Sequence, residues 1–326
     1  MSTGAPSSPR ILVVRLGAMG DIVHTLPAVA TLKHNCPGAR LTWLVEPRWA
    51  ALREENPHVD RVVRLRRHSA AGLLESWRDL RSEPYDLAVD FQGLIKSALA
   101  AAAARPASIF GFDAGLLRER PAAVFYSRQV LSGAAHVVDR NSDLAAAASG
   151  GAREAMREFH LPAGLPEGEL PAGDFVLASP LAGWRSKQWP LEYYAALAGR
   201  LGREFGIPLV LNGPPGADLP STENTRPHFS GIAGLIHATR HAAAVVGVDS
   251  GPLHLAAALA KPGAAVFGPT DPARNGPYGG SLQVLRCAGA ITSYKRRPEI
   301  DASMRRVGPD EVFEALRPAL ERCSTP

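Results

Sequence analysis

Long hydrophobic runs are absent from this 326-residue chain. No apolar stretch reaches the roughly 20 residues that a membrane-spanning helix needs. The run "SALAAAAARP" (Ser97–Pro106) is rich in small residues but too short, and reads as a buried helix. Cysteine is scarce: Cys36, Cys287 and Cys323 stand far apart, without metal-ligand spacing. That argues against a disulfide framework and a structural zinc site, and for a reducing compartment. Aromatics make up only 6%. No aromatic platform, helix-turn-helix or zinc-finger pattern is present, so a nucleic-acid partner is not expected. The opening "MSTGAPSSP" lacks a cationic start followed by an apolar stretch and reads as a tail, not a signal peptide. A cytoplasmic location is expected.

What is present suffices for two domains of ordinary size. Apolar residues make up 46% and charged residues 21%, a balance that buries cores and excludes disorder. The net charge of +5 is a mild bias towards anionic partners.

The first half alternates strand-like and helix-like segments. Strands are expected at "ILVVRL" (from Ile11), "LTWLVE" (Leu41), "RVVRLR" (Arg61), "DLAVD" (Asp86) and "SIFGF" (Ser108), and helices over Asp21–His34 and Gly93–Ala104. Such alternation indicates a parallel sheet covered on both faces. "LPAGLPEGELPAGD" (Leu161–Asp174) then has the composition of an inter-domain linker. The alternation restarts with strands at "DFVLASP", "PLVLNG", "AAVVGVD" and "GAAVFG", and helices over Leu191–Phe205, Gly251–Ala260 and Asp310–Arg322. The reading is an α/β protein of two doubly wound domains around one cleft, residues 1–165 and 166–326, with the final helix open to packing back on the first domain. Ligands in such sheets sit at the C-terminal ends of the strands.

Three motifs fall there. "RLGAMGDIVHTLP" (Arg15–Pro27) is a glycine-rich turn that would hold a phosphate on a helix N-terminus or present Asp21 to a substrate. "GWRSKQWP" (Gly183–Pro190) carries Lys187, either a point charge for phosphate or a solvated loop lysine. "VGVDSGPLHLAAALAKPGAAVFGPTDP" (Val246–Pro272) reads strand, Asp-Ser-Gly, helix, strand. Ser250 can cap the helix and Gly251 lets a ligand approach the backbone, which suits a diphosphate; the bland alternative is an ordinary capped turn. Arg64, Arg66, Arg67 and His68 follow the third strand, Arg118 and Arg120 the fifth, and Arg140 lies in "HVVDRN". These suit carboxylates or phosphates, against a scattered basic surface. His24, His136 and His254 fit helix packing as readily as chemistry, and no His/Asp/Glu spacing suggests a metal.

In order along nearly the whole chain, these stretches resemble glycosyltransferase family 9, the ADP-heptose:lipopolysaccharide heptosyltransferases. The resemblance is carried by "ILVVRLGAMGDIVHTLPAVATLK", "DFQGLIKSALAA", "GFDAGLLRERPAAVFYSRQV", "HVVDRNSDLA", "SKQWP" and "VGVDSGPLHLAAAL…VFGPTDP…GPYG". "RERPAAVFYSRQV" is most similar to the branch that adds the first heptose to Kdo on lipid A. The resemblance implies a GT-B architecture, acceptor on the N-terminal domain and nucleotide sugar on the C-terminal one. It implies an inverting reaction with no cofactor and no metal, at the cytoplasmic face of the inner membrane, by a monomer peripheral to it. Asp21 matches the catalytic carboxylate. Lys187, Asp249, Ser250, Gly251 and His254 match donor-binding positions for ADP-heptose. Arg64, Arg66, Arg67, Lys96, Arg118, Arg120 and Arg140 are assigned to the anionic acceptor, Kdo-lipid A.

The chain departs from the family where Ala182 and Gly183 replace the hydroxyl residues that often precede K-x-W-P, and where only "ADLPSTENTRP" follows "LVLNGPPG". Rival readings are a family 9 transferase using another nucleotide sugar or glycan, a dinucleotide-binding module, and a binding-only homologue. The dinucleotide reading requires G-x-G-x-x-G, a spacing that "GAMGD" lacks.

Overall fold

Short runs of Val, Ile, Leu and Ala, too apolar to leave either face in water, become fully covered parallel strands. In "RILVV" the four residues after Arg10 are completely buried, and β1 (Arg10–Val14) is the centre of the first sheet. This computed structural model describes residues 8–153 and 158–323. The chain divides into two units, Met1–Pro162 and Ala163–Pro326.

The first unit adds β2 (Arg40–Val45), β3 (Arg61–Arg64), β4 (Leu87–Asp90), β5 (Ser108–Phe112) and β6 (Arg128–Val130), in the order β3-β2-β1-β4-β5-β6, all parallel. Its helices are α1 (Met19–Val23), α2 (Leu26–Asn35), α3 (Ala70–Leu80), α4 (Ile95–Ala103) and α5 (Val137–Ser149). The single helix expected over Asp21–His34 is two. Pro27 brings no N–H to the ladder, so the helix restarts after Thr25, whose Oγ1 donates to the Asp21 carbonyl at 2.7 Å.

The second unit contains β7 (Val176–Ser179), β8 (Leu209–Gly213), β9 (Thr225–Phe229), β10 (Ala244–Val248), β11 (Gly263–Phe267) and β12 (Leu282–Arg286), in the order β12-β11-β10-β7-β8-β9. Its helices are α6 (Leu191–Phe205), α7 (Ile232–His241), α8 (Gly251–Ala258), α9 (Pro272–Asn275), α10 (Ala302–Arg305) and α11 (Pro309–Cys323). Each sheet has the doubly wound order 3-2-1-4-5-6 within its own unit. Each therefore has one switch point, between β1 and β4 in the first and between β7 and β10 in the second.

Strands β6, β9 and β12 were not anticipated. "RQV", "TRPHF" and "LQVLR" lie at or next to sheet edges, where exposed residues break the apolar run. The last helix packs on its own unit: Val312, Phe313, Leu316 and Leu320 of α11 are buried in the core with Leu197 and Leu201 of α6 and Val246 of β10. The segment expected as a linker is docked to the second unit. Leu165 N–H donates to the Ala233 carbonyl at 3.1 Å, and the Glu167 carboxylate accepts Gly231 N–H at 2.6 Å, where α7 begins. Gly164, at φ +78°, leaves no room for a Cβ against the backbone of α7.

Candidate active site

In the first unit the chain leaves β1 through Arg15 and turns into α1, and Asp21 is set in the first turn of that helix. Arg15 is buried, and its guanidinium reaches Asp21 Oδ1 at 2.8 Å. Asp21 Oδ2 accepts Ala18 N–H at 3.2 Å. The Arg15 guanidinium also donates to the Phe91 carbonyl just beyond β4, so the neighbouring strand positions it. The carboxylate is held from both sides yet remains 41% exposed, open to solvent. Gly17 makes the turn possible: a Cβ there would lie 2.7 Å from Nε1 of Trp49.

Two acids that the sequence reading passed over organise the same edge of the sheet. Glu46 directly follows β2, nearly buried, and draws three cations: Arg67 Nε at 2.9 Å, Arg48 at 3.4 Å and Lys96 at 3.8 Å. An acid closing a buried strand, as in "LTWLVE", was the available signal. Asp90 ends β4, wholly buried, and accepts from Tyr126 Oη (2.7 Å), Ser97 Oγ (2.8 Å) and the N–H groups of Gln92 and Gly93. Burial pushes its carboxyl up, against the pull of those donors. This network shapes the loop into α4.

The basic residues do not all converge. Arg67 and Lys96 share Glu46. Arg66 is drawn to Glu75 on α3. Arg64 lies near Arg53, whose pKa falls to about 10 through burial first and the Arg64 charge second. Arg118 and Arg120 are exposed and flank Glu119, which accepts Ile95 N–H at the start of α4 at 2.8 Å. Arg140, on α5, donates to the Ala134 carbonyl at 2.7 Å. His24 is buried, its ring edge-to-face with His136 at 5.5 Å.

In the second unit Lys187 follows β7 on a single 3-10 turn (Arg185–Lys187), and Asp249 follows β10. They meet at the switch point. Lys187 Nζ lies 2.5 Å from Asp249 Oδ2, and His254 Nε2 lies 3.5 Å from Oδ1. All three side chains are largely or wholly buried. Burial would raise the Asp249 carboxyl, but the hydrogen bond and charge of His254 together with the Lys187 ammonium hold it well below the usual carboxylate range. The Trp184 indole carries Lys187 at 4.3 Å and Arg296 at 5.3 Å from its ring centre, contacts absent from the sequence reading.

Ser250 stands at the N-cap of α8, but its side chain makes no capping bond, contrary to expectation; Pro252 removes one of the N–H groups it would have met. Its Oγ is buried with no hydrogen-bond partner among the described residues. The same holds for Ser186 and Thr270. These hydroxyls follow β10, β7 and β11, three neighbouring strands, at their C-terminal ends. Buried hydroxyls with nothing to bind are costly unless a ligand satisfies them. A cation, a helix N-terminus at Gly251 and hydroxyls without partners among the described residues are groups that suit an anion. No helix among the described residues is long and apolar enough to cross a membrane.

The chain is similar to known proteins over most of its length. The model of "Glycosyltransferase family 9 (heptosyltransferase)" matches residues 73–299. Lipopolysaccharide heptosyltransferase 1 of Escherichia coli K12 is 32% identical over 301 residues, covering 85% of this chain and 93% of that protein. Its namesake from Pseudomonas aeruginosa PAO1 is 32% identical over 300 residues, covering 83% and 82%. Among solved structures, E. coli heptosyltransferase WaaC with ADP has a TM-score of 0.77 at 26% identity, covering 95% of this chain and 99% of that one. The fold is GT-B, and this chain is a glycosyltransferase enzyme that belongs to glycosyltransferase family 9.

Proposed function

We propose that this enzyme transfers a heptose from ADP-heptose to a Kdo residue of the lipopolysaccharide inner core, with inversion and without a metal. The observation that carries the reading is the second-unit cluster: Lys187, Asp249 and His254 beside the N-terminus of α8 and the unpartnered Ser250 hydroxyl. The similar proteins are called lipopolysaccharide heptosyltransferase 1, and the WaaC structures are titled with ADP and with ADP-2-deoxy-2-fluoro heptose.

Asp21 acts as general base. It takes the proton from an acceptor hydroxyl as that oxygen bonds to the anomeric carbon and the bond to ADP breaks on the opposite face. ADP departs as an anion. Lys187, the N–H groups opening α8 and the Ser250 hydroxyl receive its diphosphate, the role a metal has elsewhere. Asp249, held by Lys187 and His254, accepts hydrogen bonds from hydroxyls of the donor sugar. Arg67 and Lys96, gathered on Glu46, supply cations for the Kdo carboxylate and lipid A phosphates, and Arg64, Arg66, Arg118, Arg120 and Arg140 are further acceptor-side cations of the same unit. The enzyme works as a monomer, cytoplasmic and peripheral to the inner membrane, where such an acceptor is made. The proposed domain limits remain close to residues 1–165 for acceptor and 166–326 for donor.

Isothermal titration with ADP, UDP, GDP and NAD tests the donor. ADP should bind tightest. Preference for UDP or GDP would instead indicate a family 9 transferase for another nucleotide sugar, and binding of NAD alone a dinucleotide module.

A further inference from the structure

His58 lies in the connection between β2 and β3, and Glu158 and His160 follow α5, far later in the chain. The fold brings one potential ligand atom from each to within 4.8 Å of the others. His160 Nε2 is 2.9 Å from Glu158 Oε2, and the two imidazoles stand edge-to-face with centres 4.7 Å apart. One buried side chain braces both histidines: Asn56 Oδ1 accepts the His58 N–H at 2.9 Å, and Asn56 Nδ2 donates to the His160 carbonyl at 3.0 Å. His58 Nε2 is buried and has no hydrogen-bond partner among the described residues.

We infer that His58, Glu158 and His160 form a transition-metal site of the zinc class in the first unit. Two imidazoles and a carboxylate are the donors that suit zinc and its neighbours, whereas calcium and magnesium take oxygen alone. The metal ligand is neutral imidazole. Glu158 is exposed and His160 partly so, which gives the ion an entry path and leaves room for a water as a further ligand. A tetrahedral ion with metal–ligand bonds of about 2.0–2.1 Å sets its ligand atoms roughly 3.3 Å apart, so the wider separations must shorten and the 2.9 Å pair of His160 and Glu158 must open slightly. The exposed Glu158 can supply that movement by a rotamer change.

The site is structural in character. His58 precedes β3 and so lies at the N-terminal edge of the sheet, opposite the edge where Asp21 and Glu46 follow β1 and β2. A metal there ties the segment after α5 to the β2–β3 connection, and its binding free energy adds to folding. The inference does not depend on the proposed reaction.

The test uses the full chain, stripped with chelator and titrated with Zn²⁺ alone. His237 and His241, an i,i+4 pair on α7 with ring centres 4.1 Å apart, are first replaced by alanine to remove a competing surface site. One Zn²⁺ should bind per chain, raise the unfolding temperature, and be replaceable by Co²⁺ with visible bands stronger than those of the aqueous ion. His58→Gln, Glu158→Gln and His160→Gln should each weaken Zn²⁺ binding by at least about tenfold, with unchanged circular dichroism. Zinc affinity equal in the parent and in His58→Gln/His160→Gln, or an unfolding temperature indifferent to Zn²⁺, would overturn the site. Should a variant fail to fold, the parent's stoichiometry and Co²⁺ spectrum decide.

Discussion

The ammonium of Lys187 and the carboxylate of Asp249 meet at 2.5 Å, with His254 on the second carboxylate oxygen at 3.5 Å. The cation that would receive a diphosphate is therefore already engaged by an anion. Binding a nucleotide here exchanges partners: phosphate takes over part of the ammonium's bonding, and Asp249 keeps His254. Substitution at either end of the pair should accordingly move nucleotide affinity in opposite directions. Lys187→Ala should weaken ADP by about 1.5–3 kcal/mol and adenosine little, since a charge-assisted contact is lost. Asp249→Asn removes the competing anion, so ADP should bind tighter, by roughly tenfold or ~1.4 kcal/mol, while turnover falls. Titration calorimetry with both ligands checks this. Equal losses for ADP and adenosine in the lysine variant would make Lys187 a structural residue.

Asp21→Asn should leave ADP affinity unchanged and lower turnover by about 10²–10⁴-fold, the usual contribution of a general base. The carboxylate is oriented by Arg15 at 2.8 Å and Ala18 N–H at 3.2 Å, and the amide keeps its shape. Near-normal turnover in this variant would sink the assignment.

Arg67 and Lys96 gather on Glu46, whereas Arg66 is engaged by Glu75. Arg67→Gln/Lys96→Gln should raise the acceptor KM several-fold, roughly 1–2 kcal/mol for two cationic contacts, and leave ADP binding alone. Arg66→Ala should do far less. The acceptor KM of the parent should also climb with ionic strength, as surface charges are screened. A double variant with an unaltered acceptor KM would reduce these cations to a solubilising face.

Tyr126→Phe should cost about 1–3 kcal/mol, because the buried Asp90 carboxyl loses one of its four donors while the ring packing survives. Denaturant unfolding measures it. A stability equal to the parent's would mean that Ser97, Gln92 and Gly93 satisfy Asp90 without Tyr126.

On the proposed mechanism, in which cationic and helix-end groups receive the leaving diphosphate, chelator should leave the rate of sugar transfer unchanged at room temperature. A rate abolished by EDTA and restored by Mg²⁺ or Mn²⁺ would contradict the proposed mechanism. A lowered unfolding temperature under the same chelator is the separate signature of His58, Glu158 and His160.

Much of the scaffold was legible residue by residue. "ILVV", "VVGV" and "GAAVF" are too apolar for any place but the middle of a covered parallel sheet, and Leu191–Phe205 carries its own start and stop in Pro190 and Gly206, the latter at φ +67°. "DSGPLH" announced a turn that opens a helix N-terminus, because Gly251 and Pro252 suit that position and little else. Three of the four edge strands, β6, β9 and β12, escaped because their outward residues face water and break the pattern. The pairings lay beyond any local signal. Lys187 and Asp249 are 62 positions apart, and Tyr126 and Asp90 are 36 apart. Which strands become neighbours is decided by the 3-2-1-4-5-6 winding, not by sequence distance. Local pattern sets where a chain turns and what it must bury. Which charged groups end at the same switch point, which arginines are diverted to a nearby acid, and which histidines face one another depend on the packing of whole elements, where contact energies are felt only once the chain has closed upon itself.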